Sequence, residues 1–257
     1  MQQVISVFKP MGMTPLEVIM ELKQLKPELK NQKISYAGRL DPLARGVLLL
    51  LVGEEIKHKE KYLSLDKSYE FEAILGIETD TYDLLGLIQS LELKLVPINV
   101  NLIVNDFVNK YRGKQLQSYP PYSSKAVDGK HLFWWAKNKR LDEIAVPTRE
   151  IEIFKFETVG MGEITLLKLE EKINREIALI HGDFRQNSIL KRWEEFFAKY
   201  DRSEKLKTVK FNVTCSSGTY VRELVHQLGK EIGCGAVTID ILRTTIGDYS
   251  LKKSLKL

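Results

Sequence analysis

Residues 36–52 read Tyr36-Ala37-Gly38-Arg39-Leu40-Asp41-Pro42-Leu43-Ala44-Arg45-Gly46-Val47-Leu48-Leu49-Leu50-Leu51-Val52. A loop marked by glycine and proline runs straight into six apolar residues, the pattern of a buried strand. One carboxylate, Asp41, stands in that loop between two arginines, Arg39 and Arg45. Two readings are open. Asp41 can be a turn residue that hydrogen-bonds its own backbone before Pro42. It can also be a nucleophile, kept ionised by its basic neighbours and aimed at an anionic substrate. Spacing alone favours the turn.

Working outward, residues 4–8 alternate apolar and polar side chains and predict a short strand. Thr14-Pro15-Leu16-Glu17 predicts a helix start, with Thr14 as N-cap, Pro15 at the first helical position and Glu17 closing a capping box. Val18, Ile19, Leu22 and Leu25 then fall on one helical face. Downstream of the apolar run, Gly53-Glu54-Glu55-Ile56-Lys57 opens a helix with acids first and bases later, which suits its dipole. Residues 67–75 alternate cleanly, with Tyr69, Phe71, Ala73 and Leu75 on one side of a half-buried strand. Tyr69 at its start either reaches an adjacent cleft or serves as a core-edge tyrosine. Thr79-Asp80-Thr81-Tyr82-Asp83 lacks the third ligand and glycine spacing of a calcium loop and predicts a solvated turn.

Residues 105–140 hold eight lysines and arginines against two acids, interleaved with Tyr111, Tyr119, Tyr122, Phe133, Trp134 and Trp135. Cations for phosphates and flat rings for bases are what a looped RNA requires, although a solvated basic face over core aromatics has the same composition. Within the window, Tyr119 to Lys130 form a proline-stiffened loop and basic turn, and a helix begins near His131. Gly160-Met161-Gly162 predicts a strand break, and the following residues are charged and helical. Ile189, Leu190, Trp193, Phe196, Phe197 and Tyr200 make one apolar stripe there, expected to pack on the main domain. Between the stripe and the break, Arg185 is a weaker candidate RNA contact. Residues 209–215 predict a strand, Ser216 to Arg222 a turn opening a helix with Leu224, Val225, Leu228 and Ile232 inward, and residues 237–242 a last strand.

The chain of 257 residues is 44% hydrophobic and 28% charged, an ordinary globular balance, and its net charge of +5 permits nucleic-acid binding without requiring it. The two cysteines, Cys215 and Cys234, have no histidine at metal-ligand spacing, so a zinc site is not expected. The start Met1-Gln2-Gln3 has no basic segment before an apolar one, and no run approaches a membrane span. A cytoplasmic protein with reduced thiols is expected, with no metal and no cofactor.

Gly38-Arg39-Leu40-Asp41-Pro42-Leu43-Ala44-Arg45-Gly46 closely resembles the catalytic loop of the TruB-type pseudouridine synthases. Lys9-Pro10 with Gly12, Lys67-Ser68-Tyr69-Glu70, the Thr79-Asp80-Thr81 stretch, the Pro120-Pro121 pair, Cys215 to Arg222, Gly233-Cys234-Gly235-Ala236 and Leu242-Arg243 match the family in type and order. The likeness covers most of residues 4–158 and 208–250. It implies an α+β fold with a mixed, mainly antiparallel sheet flanked by helices and a central RNA-binding cleft. It implies isomerisation of uridine to pseudouridine, at uridine 55 in the T loop of tRNA.

Carried over residue by residue, the likeness makes Asp41, Tyr69 and Arg222 catalytic. Asp41 would attack C1′ or stabilise an oxocarbenium-like species, Tyr69 would stack on the flipped base and act as general base, and Arg222 would hold Asp41 bidentately. Tyr36, Gly38, Arg39, Lys57, Tyr220, Leu242, Lys125 and Lys130 are the expected RNA contacts, with Leu242 a wall of the base pocket. Tyr36 stands where the family commonly has a histidine, so the flipping step is expected to differ. Residues 1–257 are expected to form one catalytic domain with a mainly helical insert at about 160–206, acting as a monomer on a tRNA T-arm, with no room for the family's small C-terminal PUA-like RNA-binding domain. Two other classes stay in view. A non-catalytic RNA-binding module has no use for an ionised carboxylate facing phosphates, and a retaining glycoside hydrolase needs a second carboxylate about 5 Å from the first, which no acid pair here offers.

Overall fold

The structure is a computed structural model and describes residues 2–91 and 96–257. Strand β1 (Gln2–Lys9) leads into helix α1 (Pro15–Leu25), whose start carries the expected capping box: the Glu17 N–H donates to Thr14 Oγ1 at 3.3 Å and the Thr14 N–H to Glu17 Oε2 at 2.6 Å. Such a cap contributes about 1 kcal/mol. Val18, Ile19 and Leu22 are buried, but Leu25 is 58% exposed, because the helix ends there and its last residue turns off the apolar face. Strands β2 (Ile34–Ala37) and β3 (Arg45–Gly53) follow, then α2 (Lys59–Leu63) and β4 (Lys67–Leu75). Residues 54–58 form a 3-10 turn before α2.

The chain continues through β5 (Ile77–Thr79), β6 (Ile88–Leu91), α3 (Val100–Lys110), β7 (Gly113–Ser118), the small hairpin β8 (Ala126–Val127) and β9 (Lys130–His131), and α4 (Leu132–Lys137). Then come β10 (Thr148–Thr165), α5 (Leu166–Ala178), α6 (Gln186–Phe197), β11 (Lys205–Cys215), α7 (Val221–Ile232), β12 (Ala236–Ile246), β13 (Tyr249–Ser250) and β14 (Leu255–Lys256).

One large sheet runs in the order β14-β1-β3-β12-β4-β11-β10-β7, with β2 on β3 and β13 on β12. Its pairings are antiparallel except β1 with β14 and β3 with β12. The fold is thus α+β with a mixed, mainly antiparallel sheet. The apolar run explains the centre. Leu48, Leu50 and Val52 of β3 pack under α1, while Val47, Leu49 and Leu51 pack on the other face with Tyr62 and Ile246. Each such side chain contributes roughly 1.5–3 kcal/mol by leaving water.

Alternation along β4 likewise splits its side chains. Phe71 and Ala73 join the cluster under α3 and α7, and Ile74 joins the cluster under α5 and α6. Ile189, Trp193, Phe196 and Phe197 of α6 are buried in that second cluster beside Val237 and Ile239, so the stripe packs on the sheet. The glycines at 160 and 162 do not break the strand. They sit beside a bulge between Thr158 and Gly160, and β10 stays paired with β11 as far as Thr165, which is what a strand glycine often marks. Among the described residues no helix is long and apolar enough to cross a membrane.

Candidate active site

The Asp41 loop, the N-terminal end of β4, the 79–83 turn, the turn before α7 and the middle of β12 surround one cleft of about 1290 Å³. Two buried basic side chains fix the Asp41 loop. Lys9, with no exposed surface, donates from Nζ to the carbonyls of Pro10 (2.9 Å), Met13 (2.6 Å) and Pro42 (3.3 Å). Burial pulls its pKa down to about 7, and Asp41 nearby opposes that pull. Arg243 donates from Nε to Val47 O at 2.7 Å, from Nη1 to Arg39 O and from Nη2 to Gly38 O, both at 3.2 Å. The loop is therefore held at both ends by side chains that reach backbone carbonyls, and Asp41 keeps its carboxylate for the cleft.

Arg222, in the first turn of α7, reaches that carboxylate: Nε donates to Asp41 Oδ2 at 2.8 Å. The grip is single rather than the expected bidentate fork. The other nitrogens are engaged, Nη1 with Thr81 O and Nη2 with Tyr122 O at 3.3 Å. Asp83 Oδ2 lies 3.6 Å from the same Nε. The Arg222 side chain is 4% exposed and that of Asp41 33%, so the arginine is a buried base plate and the aspartate faces the cleft. The two carboxylates hold the Arg222 pKa above its already high value despite desolvation. The turn before α7 is itself clamped, since Gln117 accepts from the Tyr220 N–H at 2.7 Å and donates to Tyr220 O at 3.0 Å.

The 79–83 turn is not solvated. Thr79, Thr81 and Asp83 are buried, and Asp83 Oδ1 accepts from Thr81 Oγ1 at 2.6 Å and from the Leu85 N–H at 3.0 Å. Burial raises the Asp83 pKa, with Arg222 as the main opposing influence. Sequence reading missed this acid, because its burial depends on an arginine far along the chain. It also means that a second carboxylate does stand beside the Asp41–Arg222 pair, although its oxygens are committed to the protein.

Tyr69 is buried at the cleft, and burial raises its pKa while the neighbouring Arg243 guanidinium pulls the other way. Tyr36, Gly38, Arg39 and Tyr220 line the cleft as expected, with Arg39 Nη2 donating to Tyr36 Oη at 3.0 Å. Leu242 does not line it. A bulge between Thr238 and Asp240 advances β12 by one residue, so Arg243 pairs with Tyr69 and Ile241 with Phe71, while Leu242 falls opposite Glu70 on the other face. Ile241 and Arg243 line the cleft in its place.

Lys57 is 73% exposed, pairs with Glu54 and is not part of the cleft wall. Lys125 and Lys130 also lie outside it, over the rings of Tyr119 (5.4 Å) and Trp134 (3.6 Å). From the basic window, Tyr122, Phe133 and Lys137 reach the cleft, whereas Lys110 pairs with Glu231 and Arg112 caps Phe156 O. Arg45, expected beside Asp41, pairs instead with Asp240 at 2.6 Å.

A family profile described as TruB family pseudouridylate synthase (N terminal domain) matches residues 26–177. The tRNA pseudouridine synthase B of Clostridioides difficile (strain 630) is 31% identical over 261 residues, spanning 100% of this chain and 69% of that protein. The protein of the same name from Syntrophobacter fumaroxidans (strain DSM 10017 / MPOB) is 30% identical over 249 residues, spanning 97% of this chain and 65% of that one. Among solved structures, a chain from a Cbf5–Nop10–Gar1 complex superposes with a TM-score of 0.59 at 20% identity, covering 99% of this chain and 52% of that chain. A chain of an H/ACA RNP bound to a substrate RNA containing 2′-deoxyuridine gives 0.55 at 20% identity, covering 98% and 50%. This chain spans about half the length of those solved chains, whose likeness establishes the fold.

Proposed function

Because this chain belongs to the TruB family of pseudouridylate synthases, we propose that its cleft isomerises uridine to pseudouridine in tRNA, at uridine 55 of the T loop. The observation that carries the site assignment is the 2.8 Å bond from Arg222 Nε to Asp41 Oδ2 at the floor of the cleft. A carboxylate in that setting is held in one orientation, and its remaining edge faces the space a nucleotide would fill.

In this reading the target uridine leaves its stack and enters the cleft, where Tyr69 and Ile241 bound the base. Asp41 then acts at the ribose. It either attacks C1′ and displaces the uracil N1, or stabilises an oxocarbenium-like species and helps remove the C2′ proton. The freed uracil turns and C5 bonds to C1′ as the Asp41–C1′ bond breaks or, on the second route, as the C2′ proton returns. C5 then loses its proton to a base while N1 takes one up, so the product is an isomer of the substrate. Tyr69, whose phenol keeps its proton more tightly than a free tyrosine, stacks on the base, and its role as base for C5 relies on the adjacent Arg243 cation. Tyr36 and Arg39, which line the cleft, would contact the RNA beside the flipped base. Lys57, Lys125 and Lys130 are left as outer phosphate contacts. The catalytic unit is taken as one domain with α5 and α6 as its insert, acting as a monomer in the cytoplasm.

The test is release of tritium from C5-labelled uridine in unmodified tRNA and in a T-arm stem–loop, with wild type and Asp41→Asn side by side. Release by wild type alone supports the reaction and the role of Asp41. Release from tRNA but not from the stem–loop rejects the T-arm as a sufficient substrate. No release from either rejects the enzyme reading in favour of an RNA-binding module.

A further inference from the structure

The excursion α5–α6 touches the cleft through one segment, His181-Gly182-Asp183-Phe184-Arg185, and Arg185 is the residue that joins it to the catalytic machinery. Resting on the function proposed above, we propose that Arg185 is a positioning residue: it clips together the two loops whose carbonyls hold Arg222. Its Nη1 donates to Asp80 Oδ2 at 2.7 Å and its Nη2 to Asp80 Oδ1 at 3.2 Å. The same guanidinium lies 4.4 Å from the centre of the Tyr122 ring.

Both partners are one step from Arg222. Asp80 precedes Thr81, whose carbonyl accepts from Arg222 Nη1, and it shares its turn with Asp83. Tyr122 gives its own carbonyl to Arg222 Nη2. One planar cation therefore bridges the turn and the loop that supply the Arg222 acceptors other than Asp41.

The contact is built to last. Asp80 Oδ1 also accepts from the Leu87 N–H at 2.8 Å, which fixes the carboxylate from its own side. The connector is tied by Gln186, which accepts from the Phe184 N–H at 2.9 Å and donates to Gly182 O at 2.7 Å. Arg185 itself sits in the left-handed region at φ 67°, a conformation arginine rarely adopts without a compensating contact. The side chains of the pair are 20% and 18% exposed, so this bidentate, stacked ion pair is not the freely solvated kind whose contribution is negligible. Lysine cannot reproduce it, since an ammonium has neither the fork nor the flat face.

Arg185 also lines the cleft, so a direct RNA contact would use the same side chain, and kinetics separates the two. Single-turnover tritium release from full-length unmodified tRNA, tRNA affinity and Tm are measured for wild type, Arg185→Ala, Arg185→Lys, Asp80→Ala and the Arg185→Ala/Asp80→Ala double variant. A displaced Arg222 should slow Arg185→Ala by about ten- to a hundredfold with tRNA affinity within about threefold of wild type. Arg185→Lys should be slowed by at least about fivefold, although it keeps the charge a phosphate would read. The double variant should be no slower than the slower single one, because both remove the same link. A wild-type rate in either Arg185 variant overturns the proposal, as does weakened tRNA binding at an unchanged rate. If the alanine variants fail to fold, Arg185→Lys decides alone by the same criterion. No release by wild type overturns the proposed function and this inference with it, whereas release by wild type with unaffected variants overturns this inference only.

Discussion

Arg222 and Asp41 are separated by 181 residues of chain and joined by a single 2.8 Å bond from Nε to Oδ2. Because the other guanidinium nitrogens are spent on Thr81 O and Tyr122 O, the arginine aims the aspartate from a fixed base rather than wrapping it. Arg222→Lys should therefore fail almost as badly as Arg222→Ala: one ammonium cannot serve two carbonyls and a carboxylate in one plane. Turnover should fall by about 100-fold or more in both, as for loss of a fixed electrostatic partner. Urea unfolding should show Arg222→Ala destabilised by about 3–5 kcal/mol, since Asp83 is left buried without its cation, and Arg222→Lys by less, since it keeps a charge there. Activity of the lysine variant within tenfold of wild type would sink this account.

The position of the β12 bulge gives a second prediction. Ile241 and not Leu242 shares the Tyr69 face. Ile241→Val removes one methylene from the cleft wall at about 0.5–1.5 kcal/mol of stability, and it should lower turnover measurably. Leu242→Val, on the opposite face, should leave the kinetics as they were. The reverse ranking of the two in a tritium-release assay would place the bulge elsewhere.

These two cases show which parts were legible beforehand. The Thr14 capping box, the buried run of β3 and the alternation of β4 are local patterns, and each formed where its residues predicted. What the chain order does not announce is a relation between distant parts. Asp83 reads as a turn acid until Arg222 arrives beside it. Arg45 reads as a neighbour of Asp41 until Asp240 claims it. Leu242 reads as a wall of the base pocket until one extra residue in β12 turns it to the other face. The Lys9 and Arg243 contacts to the loop backbone belong to the same class, because their acceptors are carbonyls that no motif displays. The motifs named the cleft, and three-dimensional pairing decided which neighbours of each motif face it.

His226, one turn beyond Arg222, stacks on Tyr82 with ring centres 3.8 Å apart, and its Nδ1 lies 3.2 Å from Glu78 Oε1. Burial, reinforced by Lys230, holds its pKa down to about 4 from the ordinary 6.5. The unfolded chain thus binds this proton more readily than the folded one. The contribution to stability is complete above pH 6.5 and is lost as pH falls towards 4. At about 1.4 kcal/mol per pKa unit, the loss should approach about 3 kcal/mol. His226→Phe keeps the stack on Tyr82 and removes the titration. Urea unfolding of the two proteins should differ by a constant above pH 7, with the variant gaining on wild type below 6.5. A difference that stays constant down to pH 4 would show that His226 does not titrate as its burial requires.

Gly46 tests the loop from the backbone side. It sits at φ 120°, paired with Arg243, and a Cβ there would lie 2.2 Å from the Arg243 carbonyl oxygen. Gly113 has a comparable φ of 85° but would place its Cβ in open space. Gly113→Ala should therefore cost only the conformational strain, of order 1 kcal/mol. Gly46→Ala must also push two strands apart, which should raise the loss to about 3 kcal/mol or more. It should further loosen the hold of Arg243 on Gly38 O and Arg39 O, and with it the aim of Asp41, so turnover should drop beyond what the lower stability explains. Thermal unfolding and single-turnover rates at a temperature where both variants remain folded check this. Equal losses in the two variants would mean that the close approach at Gly46 relaxes freely, and that β3 and β12 are not what holds the Asp41 loop in place.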